Sequence, residues 1–245
     1  MPFAPVTGTR LYYEEAGPAE GRPVLLLHAA LQTSESMRPL VRLFQPLGFR
    51  CLIPDQRGHG ESANPVSGLS IKRLADDMEE FLAYRGVARP LMAGYSLGGI
   101  VGLELARRGK LSGLILLASR FRPTERARET FAADSLRARM PMWVKQLEQK
   151  HNALPWFELA PQIGEAIATW SGMSAEDLTS ITCPVLIVQG TKDEMVSIEQ
   201  ARELAAGIPG ARLHEVPHAK HPELLYRADA MESVKTWVEE FLAQP

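Results

Sequence analysis

The sequence predicts an α/β protein in which a mostly parallel sheet is covered by helices on both faces. Continuous apolar runs, such as residues 24–27 and 185–188, are typical of strands that are buried on both sides. Stretches with apolar residues at helical spacing alternate with these runs along the chain. Residues 91–100 combine an apolar run, a glycine-rich turn and a helical pattern. This alternation favours parallel pairing, because parallel strands need a crossover between them.

Strands and helices alternate over the first half of the chain. Residues 9–15 alternate in polarity, which predicts an antiparallel edge strand. Residues 36–47 have apolar side chains every three or four positions and predict a helix. Ser70 is the predicted N-cap of a helix that extends to residue 84. The other elements of this half are strands at residues 24–27, 50–54, 91–95 and 111–118, and a helix that ends near residue 108.

The alternation pauses in the middle of the chain. Residues 120–177 carry scattered prolines and helical patterns without a strand-like run, so we expect a helical insertion packed over one edge of the sheet. Alternation then resumes, with strands at residues 184–190 and 212–216 and helices at residues 198–206 and 228–242. The prediction is a core domain formed by residues 1–119 and 178–245, interrupted by a helical cap at residues 120–177.

Composition excludes several classes of function. The chain has 245 residues and a formal net charge of −2, which gives no reason to expect nucleic acid or an anionic membrane as a partner. No apolar run approaches the roughly 20 residues of a transmembrane helix, and the N-terminus lacks the features of a signal peptide. Cys51 and Cys183 lie in predicted strands without metal-ligand spacing. We therefore expect buried, reduced thiols and a cytoplasmic protein.

A short motif at the centre of the chain points to nucleophilic chemistry. Residues 94–98, Gly-Tyr-Ser-Leu-Gly, fit the pattern G-x-S-x-G, which places a serine on a sharp turn between a strand and a helix. A hydroxyl is a poor nucleophile unless it is held beside a base. The N–H of Leu97, at the start of the helix, is then free to face an anion. The motif is short, and a glycine-rich turn can contain a serine by chance.

The ends of the predicted strands collect further polar residues. Parallel α/β sheets bind ligands at the carboxyl ends of their strands. The segments that follow the strands there contain His28, Asp55, Ser96, Asp193 and the pair His218 and His221. A serine, carboxylates and histidines thus fall on one rim of the sheet.

Five segments in this order make the chain resemble the α/β-hydrolase superfamily over nearly its whole length: residues 25–30, 55–62, 94–98, 190–193 and the histidine at 221 before the last helix. The resemblance implies an eight-stranded sheet with a helical cap after the sixth strand. It assigns Ser96 as the nucleophile, Asp193 as the acid and His221 as the base. It also implies that the backbone N–H groups of Ala30 and Leu97 form the oxyanion hole, with no metal or organic cofactor.

The chain departs from the family pattern in two places. Ala29 follows His28 where the family commonly has glycine, and Lys220 precedes His221 where it often has glycine. His218 is therefore an alternative base, although the spacing of His221 to the last helix fits the pattern better. Glu125 and Asp134 are alternative acids without support from their context.

Other polar residues have structural interpretations. We expect His28 and His59 to hydrogen-bond neighbouring backbone, Asp55 and Arg57 to hold their loop, and His151 and His214 to lie on the surface. The cap contains a cluster of arginines that either recognises an anionic substrate or, as we favour, lies on a solvated helix face and pairs with Glu125 and Glu129: Arg120, Arg122, Arg126, Arg128, Arg137 and Arg139. Substrate contacts are predicted for Met140, Trp143, Trp156 and Tyr95.

These features predict a serine hydrolase that cleaves small carboxylic esters or related acyl compounds through an acyl-enzyme, as a carboxylesterase does. Hydrolysis of lactones or of C–C bonds and cofactor-free perhydrolysis use a comparable triad and are alternatives. A ligand sensor that has the same fold and turns over slowly is a further alternative. Haloalkane dehalogenases and epoxide hydrolases use an aspartate nucleophile, so Ser96 argues against both. The expected partner is a small-molecule acyl substrate.

Overall fold

The computed structural model describes residues 3–63 and 68–243. The predicted ends of the core domain, residues 1 and 245, lie outside the described residues. Eight strands form one sheet in the order β1-β2-β4-β3-β5-β6-β7-β8. The strands are β1 (Phe3–Val6), β2 (Thr9–Ala16), β3 (Arg22–Leu27), β4 (Phe49–Pro54), β5 (Leu91–Tyr95), β6 (Gly113–Leu117), β7 (Val185–Gly190) and β8 (Arg212–Val216).

All neighbouring pairs from β4 to β8 are parallel, and only the pairs of β2 with β1 and with β4 are antiparallel. The predicted mostly parallel, eight-stranded sheet is therefore confirmed. Ten α-helices accompany it within the described residues: α1 (Arg38–Phe44), α2 (Ile71–Tyr84), α3 (Leu97–Arg107), α4 (Arg126–Thr130), α5 (Ala133–Arg139), α6 (Pro141–Lys150), α7 (Trp156–Ala168), α8 (Ala175–Thr179), α9 (Ile198–Gly207) and α10 (Ala228–Leu242).

Both faces of the sheet are buried, as the continuous apolar runs predict. In β3, Val24 and Leu26 pack in a core cluster with residues of α1 and α10. Leu25 and Leu27 point the other way, into a cluster with residues of α2, α3 and α9. This division follows from the two-residue period of a strand. It explains why β3 has no polar side chain over residues 24–27.

Two predicted elements differ from the structure. The strand predicted at residues 9–15 is not at the edge, because β1 pairs with its free side, Phe3 opposite Tyr12. β1 contains Pro5, which only an edge strand tolerates easily. The single helix predicted at residues 36–47 is three short pieces, with 3-10 turns on either side of α1. Pro39 and Pro46 are the second residues of α1 and of the second 3-10 turn, and proline removes the N–H that a continuous helix needs.

The segment between β6 and β7 contains helices α4 to α8, and no strand is described in it. We call α4 to α8 with their connecting loops the helical insert. Its apolar residues, including Leu136, Leu147 and Leu159, join the same core cluster as α2 and α3. The helical insert is therefore continuous with the core on one face of the sheet.

Two further expectations concern membrane-spanning helices and the two cysteines. Over the described residues, no helix combines the length and apolar character that crossing a membrane requires. Cys51 and Cys183 are buried and free, and burial raises the pKa of the Cys51 thiol to about 12.

Candidate active site

Ser96 lies on the turn between β5 and α3 in a strained conformation. Its φ is 51° and its ψ is −110°, a region that costs a non-glycine residue on the order of 1–3 kcal/mol. Close packing around the turn requires glycine on both sides. A Cβ on Gly94 would lie 2.5 Å from the carbonyl oxygen of Gly98, and one on Gly98 would lie 2.3 Å from that of Leu27. The Ser96 side chain makes no capping bond to α3, so its hydroxyl is available to another partner.

That partner is His221, at the start of a 3-10 turn after β8. Its Nε2 lies 3.1 Å from Ser96 Oγ, and its Nδ1 lies 2.8 Å from Asp193 Oδ2. Because Nδ1 donates to the carboxylate, Nε2 carries the lone pair that faces the serine hydroxyl. The structure thus brings Ser96, His221 and Asp193 into one hydrogen-bonded chain, although they are far apart in sequence.

Asp193 is held by four donors. Its Oδ1 accepts bonds from the N–H groups of Met195 and Val196, and its Oδ2 accepts from His221 and from Gln189 Nε2 at 2.9 Å. Burial by itself would raise the pKa of the carboxyl, but the hydrogen bond and charge of His221 and the two backbone donors outweigh it, so the pKa of Asp193 is lowered. The carboxylate stays ionised and fixes the tautomer of His221.

Sequence reasoning missed Gln189 and Ser119. Gln189 is fully buried, and its amide bridges Asp193 and the carbonyl of Val196 at 2.9 Å. Ser119 donates to the carbonyl of Ser96 at 3.2 Å. Both are polar residues at the end of an apolar strand, which is the signal that could have identified them.

Tyr95 supports the imidazole of His221, and its predicted contact with substrate stays a prediction. Its hydroxyl donates to the His221 carbonyl at 2.5 Å, and its ring stacks on the His221 ring with centroids 5.7 Å apart. The strand period places Tyr95 on the same face of β5 as Leu91 and Ala93, in the core. Burial, with the charge of Asp193, raises the pKa of Tyr95, so the hydroxyl remains a donor.

The other predicted substrate contacts differ in exposure. Trp156 is 2% exposed and packs in the core cluster that includes the helical insert, and its contact with substrate stays a prediction. The Arg137 guanidinium lies over its ring at 5.2 Å. Met140 is 45% exposed, and Trp143 is partly buried against the core. Their contacts with substrate stay predictions.

The alternatives left open by the sequence lie away from Ser96. His218 is exposed, and its backbone N–H donates to Thr191 Oγ1 at 2.8 Å. Glu125 and Asp134 form ion pairs with the arginines three residues after them. Three arginines of the cluster form exposed ion pairs: Arg128 with Glu125, as favoured, and with Glu165, Arg122 with Glu203, and Arg137 with Asp134. Arg120 instead donates to the Met195 carbonyl at 2.6 Å.

The two predicted oxyanion donors occupy turns beside the serine's strand. Leu97 is the first residue of α3, and the first N–H groups of a helix have no acceptor within it. Ala30 lies in the turn after β3, which the N–H of Gln32 closes by donating to the Ala29 carbonyl at 3.1 Å. β3 is the neighbour of β5, and Leu27 pairs with Gly94, so both turns lie at the same edge of the sheet.

Asp55 and Arg57 hold the polar loop after β4 in place, as predicted. Asp55 accepts from the N–H groups of Ser34 and Glu61 at 2.6 and 3.1 Å. Arg57 donates two bonds of 2.7 Å to Asp77, and both side chains are buried.

Three histidines beside this loop form a buried cluster. The ring centroids of His28 and His59 are 4.9 Å apart, and those of His59 and His151 are 5.9 Å apart. His28 and His59 bond neighbouring backbone, as predicted. His151 is 6% exposed, which corrects its predicted place on the surface: α6 ends there and the chain turns inward to the Gly60 loop. Burial lowers the pKa of all three, to about 4 for His28.

Comparisons with known proteins agree with this architecture. Residues 24–234 match the model of the Alpha/beta hydrolase family. "Putative carbamate hydrolase RutD" of Variovorax paradoxus (strain S110) is 27% identical over 244 residues, covering 86% of this chain and 89% of that protein. The non-heme haloperoxidase of Rhodococcus erythropolis is 25% identical, covering 94% of this chain and 96% of that protein. The solved structure of the enol-lactonase from Burkholderia xenovorans LB400 has a TM-score of 0.83 and 25% identity, covering 99% of this chain and 100% of that chain.

Proposed function

Because the chain belongs to the alpha/beta hydrolase family, we propose that it is a serine hydrolase that cleaves small carboxylic esters or related acyl compounds through an acyl-enzyme. The observation that carries the proposal is the hydrogen-bonded chain from Ser96 Oγ through His221 to Asp193, with steps of 3.1 and 2.8 Å. A serine on a strained turn with an oriented imidazole beside it is the arrangement that nucleophilic acyl transfer requires.

Each residue has a defined role in the proposed reaction. Ser96 Oγ attacks the acyl carbon while His221 Nε2 takes the hydroxyl proton, and Asp193 stabilises the imidazolium. The N–H groups of Leu97 and Ala30 stabilise the oxyanion of the tetrahedral intermediate. His221 then gives the proton to the leaving alcohol as the C–O bond breaks. Water attacks the acyl-enzyme with His221 as base, which releases the carboxylic acid and restores Ser96.

Lactones are among the related substrates that a similar protein supports. A lactone is a cyclic ester, so the same steps open it and leave the alcohol on the same molecule as the acid. The similarity to an enol-lactonase, at 25% identity over nearly the whole of both chains, favours including lactones among the substrates. We also propose that residues 120–177 form a cap that sets substrate preference, with Met140 and Trp143 as candidate contacts. A cytoplasmic location stays a prediction.

Turnover separates this proposal from a ligand sensor of the same fold. We expect a fluorophosphonate to label Ser96 rapidly, and p-nitrophenyl acetate and butyrate to be hydrolysed through many turnovers per protein molecule. The measurement is the yield of p-nitrophenol per active site, where fluorophosphonate labelling of a separate sample gives the number of active sites. Hydrolysis of a panel of lactones is followed by acid release. A yield that stops at one equivalent, with labelling intact, would contradict the enzyme and support a sensor.

The two candidate bases can be compared with matched variants. We expect His221→Asn to lower kcat for p-nitrophenyl butyrate by at least about 10³-fold, because an amide cannot accept the Ser96 proton. We expect His218→Asn to stay within about threefold of the wild type. His218 has a φ of 61°, and asparagine tolerates this region better than alanine does. The reverse pattern would reject the assignment of His221.

A further inference from the structure

We propose that His151 is a positioning residue for the oxyanion loop, which we define as residues 29–32. The inference rests on the proposed function, in which the N–H of Ala30 faces the oxyanion. His151 follows α6 in the helical insert, and its imidazole holds the carbonyl of Leu31, the residue after Ala30.

Both ring nitrogens of His151 are engaged with backbone. Nε2 donates to the Leu31 carbonyl at 3.1 Å, and Nδ1 accepts from the N–H of Gly60 at 3.1 Å. The two bonds fix the plane and the tautomer of the ring. A protonated ring could not accept from Gly60, and burial, which lowers the pKa of His151, keeps the ring neutral.

The loop that His151 holds is strained. Leu31 has a φ of 57°, a left-handed region that non-glycine residues rarely adopt. Such a conformation persists only when its surroundings enforce it. Within the loop, the bond from Gln32 to Ala29 closes the turn. The His151 bond fixes the Leu31 carbonyl from outside, so together the two bonds define where the Ala30 N–H points.

Other contacts of the same segment dock it onto the core without touching the oxyanion loop. The N–H groups of Asn152 and Ala153 donate to the Gly60 carbonyl at 3.1 and 3.2 Å. The Asn152 side chain donates to Glu61, and Lys150 pairs with Glu35 at 3.2 Å. These neighbours provide controls, because a residue that only docks the segment should behave as they do.

The test combines kinetics and hydrogen exchange. We expect His151→Ala to lower kcat for p-nitrophenyl butyrate by about 10- to 100-fold with KM within about threefold, less than the 10²- to 10³-fold loss of a whole oxyanion donor. Amide exchange over residues 28–33 should accelerate. His151→Gln, which keeps one donor and one acceptor, should recover part of kcat. Asn152→Ala and Lys150→Ala should stay within about twofold in kcat.

Two results would overturn the proposal. One is a His151→Ala variant, folded by circular dichroism, with wild-type kcat and wild-type exchange over residues 28–33. The other is an Asn152→Ala variant that loses as much kcat as His151→Ala, which would make His151 a docking residue only. A wild-type protein without ester turnover would instead contradict the proposed function. The exchange measurement alone would then decide whether His151 holds the loop.

Discussion

Replacing Ser96 with alanine is expected to lower kcat/KM for p-nitrophenyl butyrate by a factor on the order of 10⁵. The substitution removes the hydroxyl oxygen that lies 3.1 Å from His221 Nε2 and that forms the acyl bond in the proposed reaction. The imidazole and the oxyanion donors remain, so a weak residual rate above that of the uncatalysed reaction is expected. Initial rates over a range of ester concentrations measure the loss.

Ser119→Ala is the matched control for this substitution. Ser119 also carries a hydroxyl next to the turn, but it donates to the backbone carbonyls of Ser96 and Leu117. We expect its removal to change kcat/KM by less than about tenfold, since one neutral hydrogen bond contributes about 1 kcal/mol. A Ser96→Ala variant within tenfold of the wild type would mean that another group performs the chemistry.

Acidification from pH 7.5 to pH 5.5 is expected to lower the free energy of unfolding by roughly 3 kcal/mol through His28 and His59, with a further loss of the same sign from His151. In the unfolded chain their pKa values return to about 6.5, so at pH 5.5 they bind protons. In the folded chain burial lowers the pKa values of His28, His59 and His151, so these rings bind fewer protons than in the unfolded chain. The unfolded state therefore binds more protons, and stability falls as the pH falls through 6.5. His28, with a folded pKa of about 4, contributes about 1.4 kcal/mol at pH 5.5, and the fully buried His59 contributes about as much.

Urea unfolding at the two pH values measures this difference. His59→Gln removes one of these groups, so the stability that this variant loses between pH 7.5 and 5.5 should be smaller by about 1.4 kcal/mol, whatever its stability at pH 7.5. His218→Gln, at an exposed position, should show the wild-type difference. The interval between pH 5.5 and pH 7.5 lies above the pH range in which most carboxylates titrate. Equal free energies of unfolding at pH 7.5 and 5.5 would show that the cluster takes up protons in the folded state.

Much of the fold could be predicted because its signals are local. The apolar run at residues 24–27 requires burial on both faces, and the structure divides it between two cores. The sequence does not predict β1, because this strand has only four residues, one of them proline, and depends on β2 for its pairing. The helix at residues 36–47 was predicted too long because apolar spacing outweighed Pro39 and Pro46, which break it into three pieces.

The chemistry-bearing residues of the candidate site could be predicted, but their supports could not. Ser96 has a motif, and Asp193 and His221 follow strands that end at the same edge. His151 has no local signal, because its partners Leu31 and Gly60 are 120 and 91 residues away in sequence.

The position of the helical insert between β6 and β7 has a consequence for redesign. β6 and β7 pair in register, Leu114 opposite Val185, although the whole insert separates them along the chain. The polypeptide leaves and re-enters the sheet at adjacent strands, so a foreign segment of different length could be grafted there without disturbing the ladder. Such a chimera would keep Ser96, Asp193 and His221 but lose the imidazole that holds Leu31. A segment that replaces the helical insert must therefore supply its own hydrogen-bond donor to the Leu31 carbonyl.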